Sequence, residues 1–200
     1  KSILPKKSIN FLEKYLNNAA PTGYEWDGQK LWMNYLEPYV DEFITDAYGT
    51  VVGVINPGQD YKVVLEAHAD EIAWYVNYIN PEGFIYVKRN GGSDHMIAPA
   101  KRVNIFTDDG IVKGVFGWPA IHTRKNGKEE TPKLSNIFID VGAKNEKEVR
   151  KMGIHPGTVI TFDDEFTILN NQFYTGRALD NRIGGYMIAQ VARQLKENKQ

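Results

Sequence analysis

Four short runs between about Ile72 and Thr167, GFIYVKR, RVNIFT, GIVKGVFG and NIFIDVG, alternate apolar with polar residues and are parted by Gly, Asn and Asp. A period of two puts every second side chain on one face. Runs this short cannot bury that face alone, so they must close on one another as a small antiparallel barrel or sandwich. NEKEVRKMG, residues 145–153, is the one obvious short helix among them, with Gly153 as its C′ residue.

The flanks read differently. Ile9, Leu12, Tyr15 and Leu16 recur at helical spacing behind Ser8, which is placed as the N-cap. Pro21 and Gly23 end that helix, and a second one carrying Leu31, Tyr35 and Leu36 stops before Pro38. From Val40 to Asp70 the pattern is strand, turn, strand, turn, strand, with a turn at Asn56-Pro57-Gly58 and a buried third strand through Val63, Val64 and Leu65. Helices followed by parallel-looking buried strands indicate an α/β layer. Near the other end a glycine-bearing turn feeds an amphipathic helix, with Ile183, Met187 and Val191 on one face and Ile188, Ala192 and Leu195 beside it. The expected organisation is an α/β domain from residues 1–71 and 168–200, interrupted by a β-rich insert at 72–167.

With 42% hydrophobic residues among 200, the chain can bury a substantial core. Its net charge of −1, with no basic block or acidic tail, argues against nucleic acid and membrane surfaces as partners. It has no cysteine, which excludes disulfides and thiolate metal sites and leaves His and carboxylates as strong ligands. No apolar run reaches the roughly 18 residues of a membrane span, and no signal peptide stands out. A soluble, cytoplasmic protein is the expectation.

His68 and Asp70 stand two positions apart at the carboxyl end of the expected third strand, on one face, where open α/β sheets place their ligand sites. A metal-binding histidine needs its other ring nitrogen held by an acceptor, commonly a carboxylate. By spacing alone, a strand-end histidine bonded to a neighbouring loop fits equally well. Asp180, at the entrance of the last helix, reads by itself as an N-cap.

Five stretches change that reading together: APTGYE, LEAHADEIAWYVNYI, GVFGWPAIH, IFIDVGAKNEKEVRKMGIHPGT and GRALDNRIGGY. In them the chain resembles the M42 family of metallo-aminopeptidases, the glutamyl and tetrahedral aminopeptidases, over nearly its whole length. The resemblance implies a phosphorylase/hydrolase-like α/β catalytic domain interrupted by a barrel insert that serves as lid and dimerisation domain. It implies two divalent ions (zinc or cobalt, with manganese also suited), a peptide substrate and a homo-oligomer. Carried over by position, His68 resembles a terminal metal ligand and Asp180 the carboxylate bridging both ions. Asp70 resembles the catalytic-site carboxylate that orients His68. A cis peptide is implied between Asp180 and Asn181.

Ala73 and Asn181 stand where the family pattern has Gly and Asp. The family's general-base glutamate, a neighbouring glutamate ligand and later Asp and His ligands cannot be placed on this chain. It therefore reads as the first part of a longer enzyme, inactive alone. Two other readings are a non-catalytic homologue that works through assembly, and a glycan hydrolase. The latter needs two carboxylates across a sugar-sized groove. Glu129-Glu130 and Asp163-Asp164-Glu165 are neighbours in loops and read as solvated charge. His122 is read as structural or as facing the site from the insert, and His95 and His155 as loop histidines.

Overall fold

The structure, a computed structural model, describes residues 4–124 and 131–198. In chain order, helices α1 (Lys6–Asn17) and α2 (Trp26–Leu36) precede strands β1 (Glu42–Thr45) and β2 (Val51–Val54). Then come β3 (Ala73–Ile79), β4 (Ile85–Asn90), β5 (Arg102–Thr107), β6 (Gly110–Gly117) and β7 (Phe138–Asp140). Helix α3 (Glu146–Lys151) leads to β8 (Val159–Phe162), β9 (Thr167–Leu169), β10 (Phe173–Thr175) and α4 (Leu179–Glu197). The chain forms two units, Lys1–Glu71 with Glu165–Gln200, and Ile72–Asp164. The fold is α/β with a barrel inserted, as expected.

The second unit is the barrel. Its six strands close in the order β3-β4-β7-β6-β5-β8, with every pairing antiparallel. The alternation fills the interior: Trp74 and Val76 from β3, Val103 and Ile105 from β5, with Ile85, Val87, Phe116, Ile139 and Ile160. Each such side chain taken from water stabilises the unit by about 1.5–3 kcal/mol. Val149 of α3 joins that core. Asn145 caps α3 by accepting from the Glu148 backbone N–H, and Gly153 follows the helix with φ +80°.

The first unit is built on three helices. Phe11, Leu12, Tyr15 and Leu16 of α1 form one stripe packed with Trp32, Tyr35 and Leu36 of α2 and Tyr186, Ala189 and Ala192 of α4. The Phe11 and Tyr35 rings stack with centroids 4.0 Å apart. Gly185 lets α4 approach closely, since a Cβ there would meet the Tyr15 hydroxyl at 3.0 Å. The Trp32 indole N–H donates to the Gly185 carbonyl at 2.8 Å.

Four details correct the expectations. Ser8 is no cap: α1 starts at Lys6, and the buried Ser8 hydroxyl bonds Tyr35 and Gln190, each at 2.9 Å. The core face of α4 is centred on Tyr186 and Ala189, while Met187 and Val191 are 62% and 40% exposed. The strands of this unit are antiparallel, β1 with β2 and β9 with β10. Residues 62–67 form no strand and join no sheet, and Val63, Val64 and Leu65 are 72%, 77% and 53% exposed. An apolar run becomes a buried strand only where another segment pairs with it, and none does so among the described residues. The polar stretch GKEETPK and the pair Glu129-Glu130 fall largely or wholly outside the described residues.

Candidate metal centre

Three segments of the first unit meet around His68. The loop after α1 runs beside residues 68–71: Pro21 bridges Glu71 in parallel, and the Glu71 N–H donates to the Ala20 carbonyl at 2.9 Å. From that loop the Thr22 hydroxyl donates to Asp70 Oδ2. The third segment is the start of α4. Its approach depends on Gly184, where a Cβ would lie 2.9 Å from the Ala67 Cβ.

Asp180 does not cap α4. The turn into the helix passes through Ala178 at φ 58°, and Asp180 and Asn181 are both non-helical. The Asp180–Asn181 peptide is cis, as the resemblance implies. The Asp180 side chain is 96% exposed.

The three side chains form a line. His68 Nδ1 lies 2.8 Å from Asp70 Oδ1, and His68 Nε2 lies 3.1 Å from Asp180 Oδ1. Asp70 accepts a hydrogen bond from the Nδ1–H, which leaves Nε2 to face Asp180. Partial burial lowers the imidazole pKa, but the hydrogen bonds to Asp180 and Asp70, with their charges, outweigh it and the net shift is upward. The two carboxylates thus favour the protonated ring more than water would.

The same arrangement suits a cation at Nε2. Ligand atoms at about 2.0–2.1 Å from a tetrahedral ion stand roughly 3.3 Å from each other. The 3.1 Å between Nε2 and Oδ1 is close to that spacing, and one nitrogen with one carboxylate oxygen is a donor set for zinc, cobalt or manganese. Among the described residues no group of three or more His, Asp or Glu could hold a metal ion. His68 Nε2 and Asp180 Oδ1 thus stand side by side, with Asp70 on the other ring nitrogen.

Among the described residues the remaining candidates form no group that could hold a metal ion. His122 sits on the short turn Ile121–Thr123, and His95 contacts Arg89. His155 Nδ1 lies 3.0 Å from the Pro156 carbonyl. Asp163 and Asp164 pair with Lys113 and Lys101 at 2.9 and 2.8 Å, which is ordinary salt-bridge geometry.

The sequence pattern did not single out Glu71, Arg177 and Arg182. Glu71 is buried and accepts from the Ala20 N–H at 2.9 Å and from the Arg177 guanidinium, while Arg182 Nη2 lies 3.5 Å from it. A signal existed: one acid directly after His68-Ala69-Asp70, and two arginines bracketing Asp180.

Among the described residues, no helix is long and apolar enough to cross a membrane. The model of the M42 glutamyl aminopeptidase family matches residues 49–200. A lysyl aminopeptidase of Pyrococcus furiosus is 32% identical over 191 residues, covering 94% of this chain and 55% of the relative. The chain spans about half the length of the curated relatives it matches. A TET aminopeptidase from the marine sediment archaeon Thaumarchaeota archaeon SCGC AB-539-E09 superposes with a TM-score of 0.91 at 26% identity, over 96% of this chain and 55% of that one. The TET1 peptidase of Pyrococcus horikoshii, described as assembling into a tetrahedron or a large octahedral shell, gives 0.83 at 25% identity over 96% and 57%. With the family model covering well over half of its length, the chain belongs to the M42 glutamyl aminopeptidase family.

Proposed function

We propose that this chain carries the first donors of a two-metal aminopeptidase site, in which His68 holds one divalent ion, Asp180 bridges two, and Asp70 orients His68. The observation that supports this most is the Asp70–His68–Asp180 line, with its 2.8 and 3.1 Å separations. Divalent ions at such a site act as Lewis acids on a scissile carbonyl and make water nucleophilic near neutral pH. Asp70 keeps the proton on Nδ1 and so presents the Nε2 lone pair outward. Asp180 brings negative charge to the exposed side, where a peptide's free amino group would approach. Reaction and substrate come from the family; among the described residues no third donor joins His68 and Asp180. By itself the chain is expected to bind metal weakly and to show no turnover.

Assembly is part of the same reading. Tyr78, Ile111 and Val115 are exposed apolar residues of the barrel unit, and we take them as contacts for a homo-oligomer, as the assembly of the Pyrococcus horikoshii relative suggests. The cysteine-free composition suits a reducing cytoplasm.

The test is metal binding. In equilibrium dialysis with zinc, cobalt or manganese present throughout, the folded chain should bind metal that His68→Ala does not. A folded chain that binds none contradicts the reading. Metal-independent release of sugars from glucans would favour glycan hydrolysis, and oligomers without metal affinity would favour a purely structural role.

A further inference from the structure

Residues 62–67 pair with no strand among the described residues, so no sheet ladder fixes where His68 sits. Beside the Pro21–Glu71 bridge and the Thr22–Asp70 hydrogen bond, a buried guanidinium holds the His68–Glu71 stretch. Arg182 is fully buried, two positions after Asp180, and all its polar contacts are on this unit. Its Nε donates to the carbonyl of Ala69, the residue between His68 and Asp70, at 3.0 Å. Its Nη1 donates to the Tyr15 carbonyl at 2.6 Å and to the Asn18 carbonyl. Its Nη2 faces Glu71 Oε1 at 3.5 Å.

Glu71 is the counter-charge. It also takes the Ala20 N–H at 2.9 Å and the Arg177 guanidinium, whose Nη2 reaches the Asn17 carbonyl at 3.0 Å. A rigid planar fork can serve three carbonyls and a carboxylate at once; the single ammonium of lysine cannot. One side chain therefore ties the end of α1, the His68–Asp70 segment and the start of α4 together.

We propose that Arg182, neutralised by Glu71, is a positioning residue for the metal centre: its hold on the Ala69 carbonyl sets the distance between His68 and Asp180. The proposal rests on the two-metal reading above. Groups that orient metal ligands change metal affinity by about 10–100-fold when altered.

Two measurements on the full chain test it. The first is hydrogen–deuterium exchange of peptides covering residues 66–71, without metal. The second is cobalt affinity, followed by visible absorption. Arg182→Lys should speed exchange at 66–71 and weaken cobalt binding at least tenfold. Trp32→Phe removes a hydrogen bond to the same helix away from the centre; it should lower global stability and move neither readout. Should Arg182→Lys fail to fold, Glu71→Gln, which has nearly the same shape, is read in the same two ways. A folded variant with unchanged exchange at 66–71 overturns the positioning role. Faster exchange in the variants with no cobalt binding by the unaltered chain keeps the clamp and overturns the metal reading.

Discussion

His68 Nε2 lies 3.1 Å from Asp180 Oδ1 although 112 positions separate the two residues along the chain. Neither residue is held there by its own element: His68 follows a segment that joins no sheet, and Asp180 lies in a non-helical break at the start of α4. Their meeting depends on side chains packed behind them.

Asp70 should matter through His68. Asp70→Asn replaces an acceptor-only carboxylate by an amide and frees the imidazole to rotate or change tautomer. Metal affinity should fall about 10–100-fold while thermal stability changes little. Calorimetric titration with zinc checks this.

Removing Glu71 should be costly for the fold. Its carboxylate is 3% exposed and faces two guanidinium groups, so Glu71→Ala strands buried positive charge. Breaking one side of such a buried pair costs about 3–5 kcal/mol. A urea titration should show the loss as a lowered midpoint.

In the barrel, Ile160 is fully buried and its strand pairs with both β3 and β5. Ile160→Ala should destabilise the unit by about 2–5 kcal/mol, the range for truncating a core isoleucine. Near-ultraviolet circular dichroism during thermal unfolding reports it, because Trp74 and Phe116 share that core.

Asp163 should make the barrel acid-sensitive. Burial raises its carboxyl pKa, but hydrogen bonds from Lys113 and Asn104 and the charges of Lys113 and Arg102 outweigh it, and the net value lies below 3.8. A carboxyl lowered in the folded state stabilises fully above its unfolded pKa and loses that contribution as pH falls through the folded one. The contribution is therefore present above about pH 5 and fades below the unfolded value. Urea midpoints measured down the acid range should fall less steeply for Asp163→Asn than for the unaltered chain.

Much of this was readable from local pattern. The strands β5 and β6 occupy the bounds of their alternating runs, because a period of two and the turn residues beside it are local properties. The α1 stripe of Leu12, Tyr15 and Leu16 is buried for the same reason. The failures share a cause of another kind. Val63, Val64 and Leu65 have the composition of a buried strand, but burial needs a neighbour that the segment itself does not encode. Ser8 has the chemistry of a cap, yet Gln190, 182 positions away, accepts its proton. Arg182 was passed over because backbone carbonyls and one distant acid, Glu71, satisfy it, and carbonyls leave no trace in side-chain pattern; only its place two positions after Asp180 pointed to it. For the centre itself, His68, Asp70 and Asp180 could be named, while the residues that hold them in place could not.

The most direct measurement is a cobalt titration of the chain, followed by visible absorption, beside His68→Ala and Asp180→Asn. If the imidazole and the carboxylate share a cation, the unaltered chain develops the absorption bands of a nitrogen- and oxygen-liganded ion and both variants lose them. Bands that persist in either variant, or that never form in the folded chain, would contradict a shared metal at His68 and Asp180.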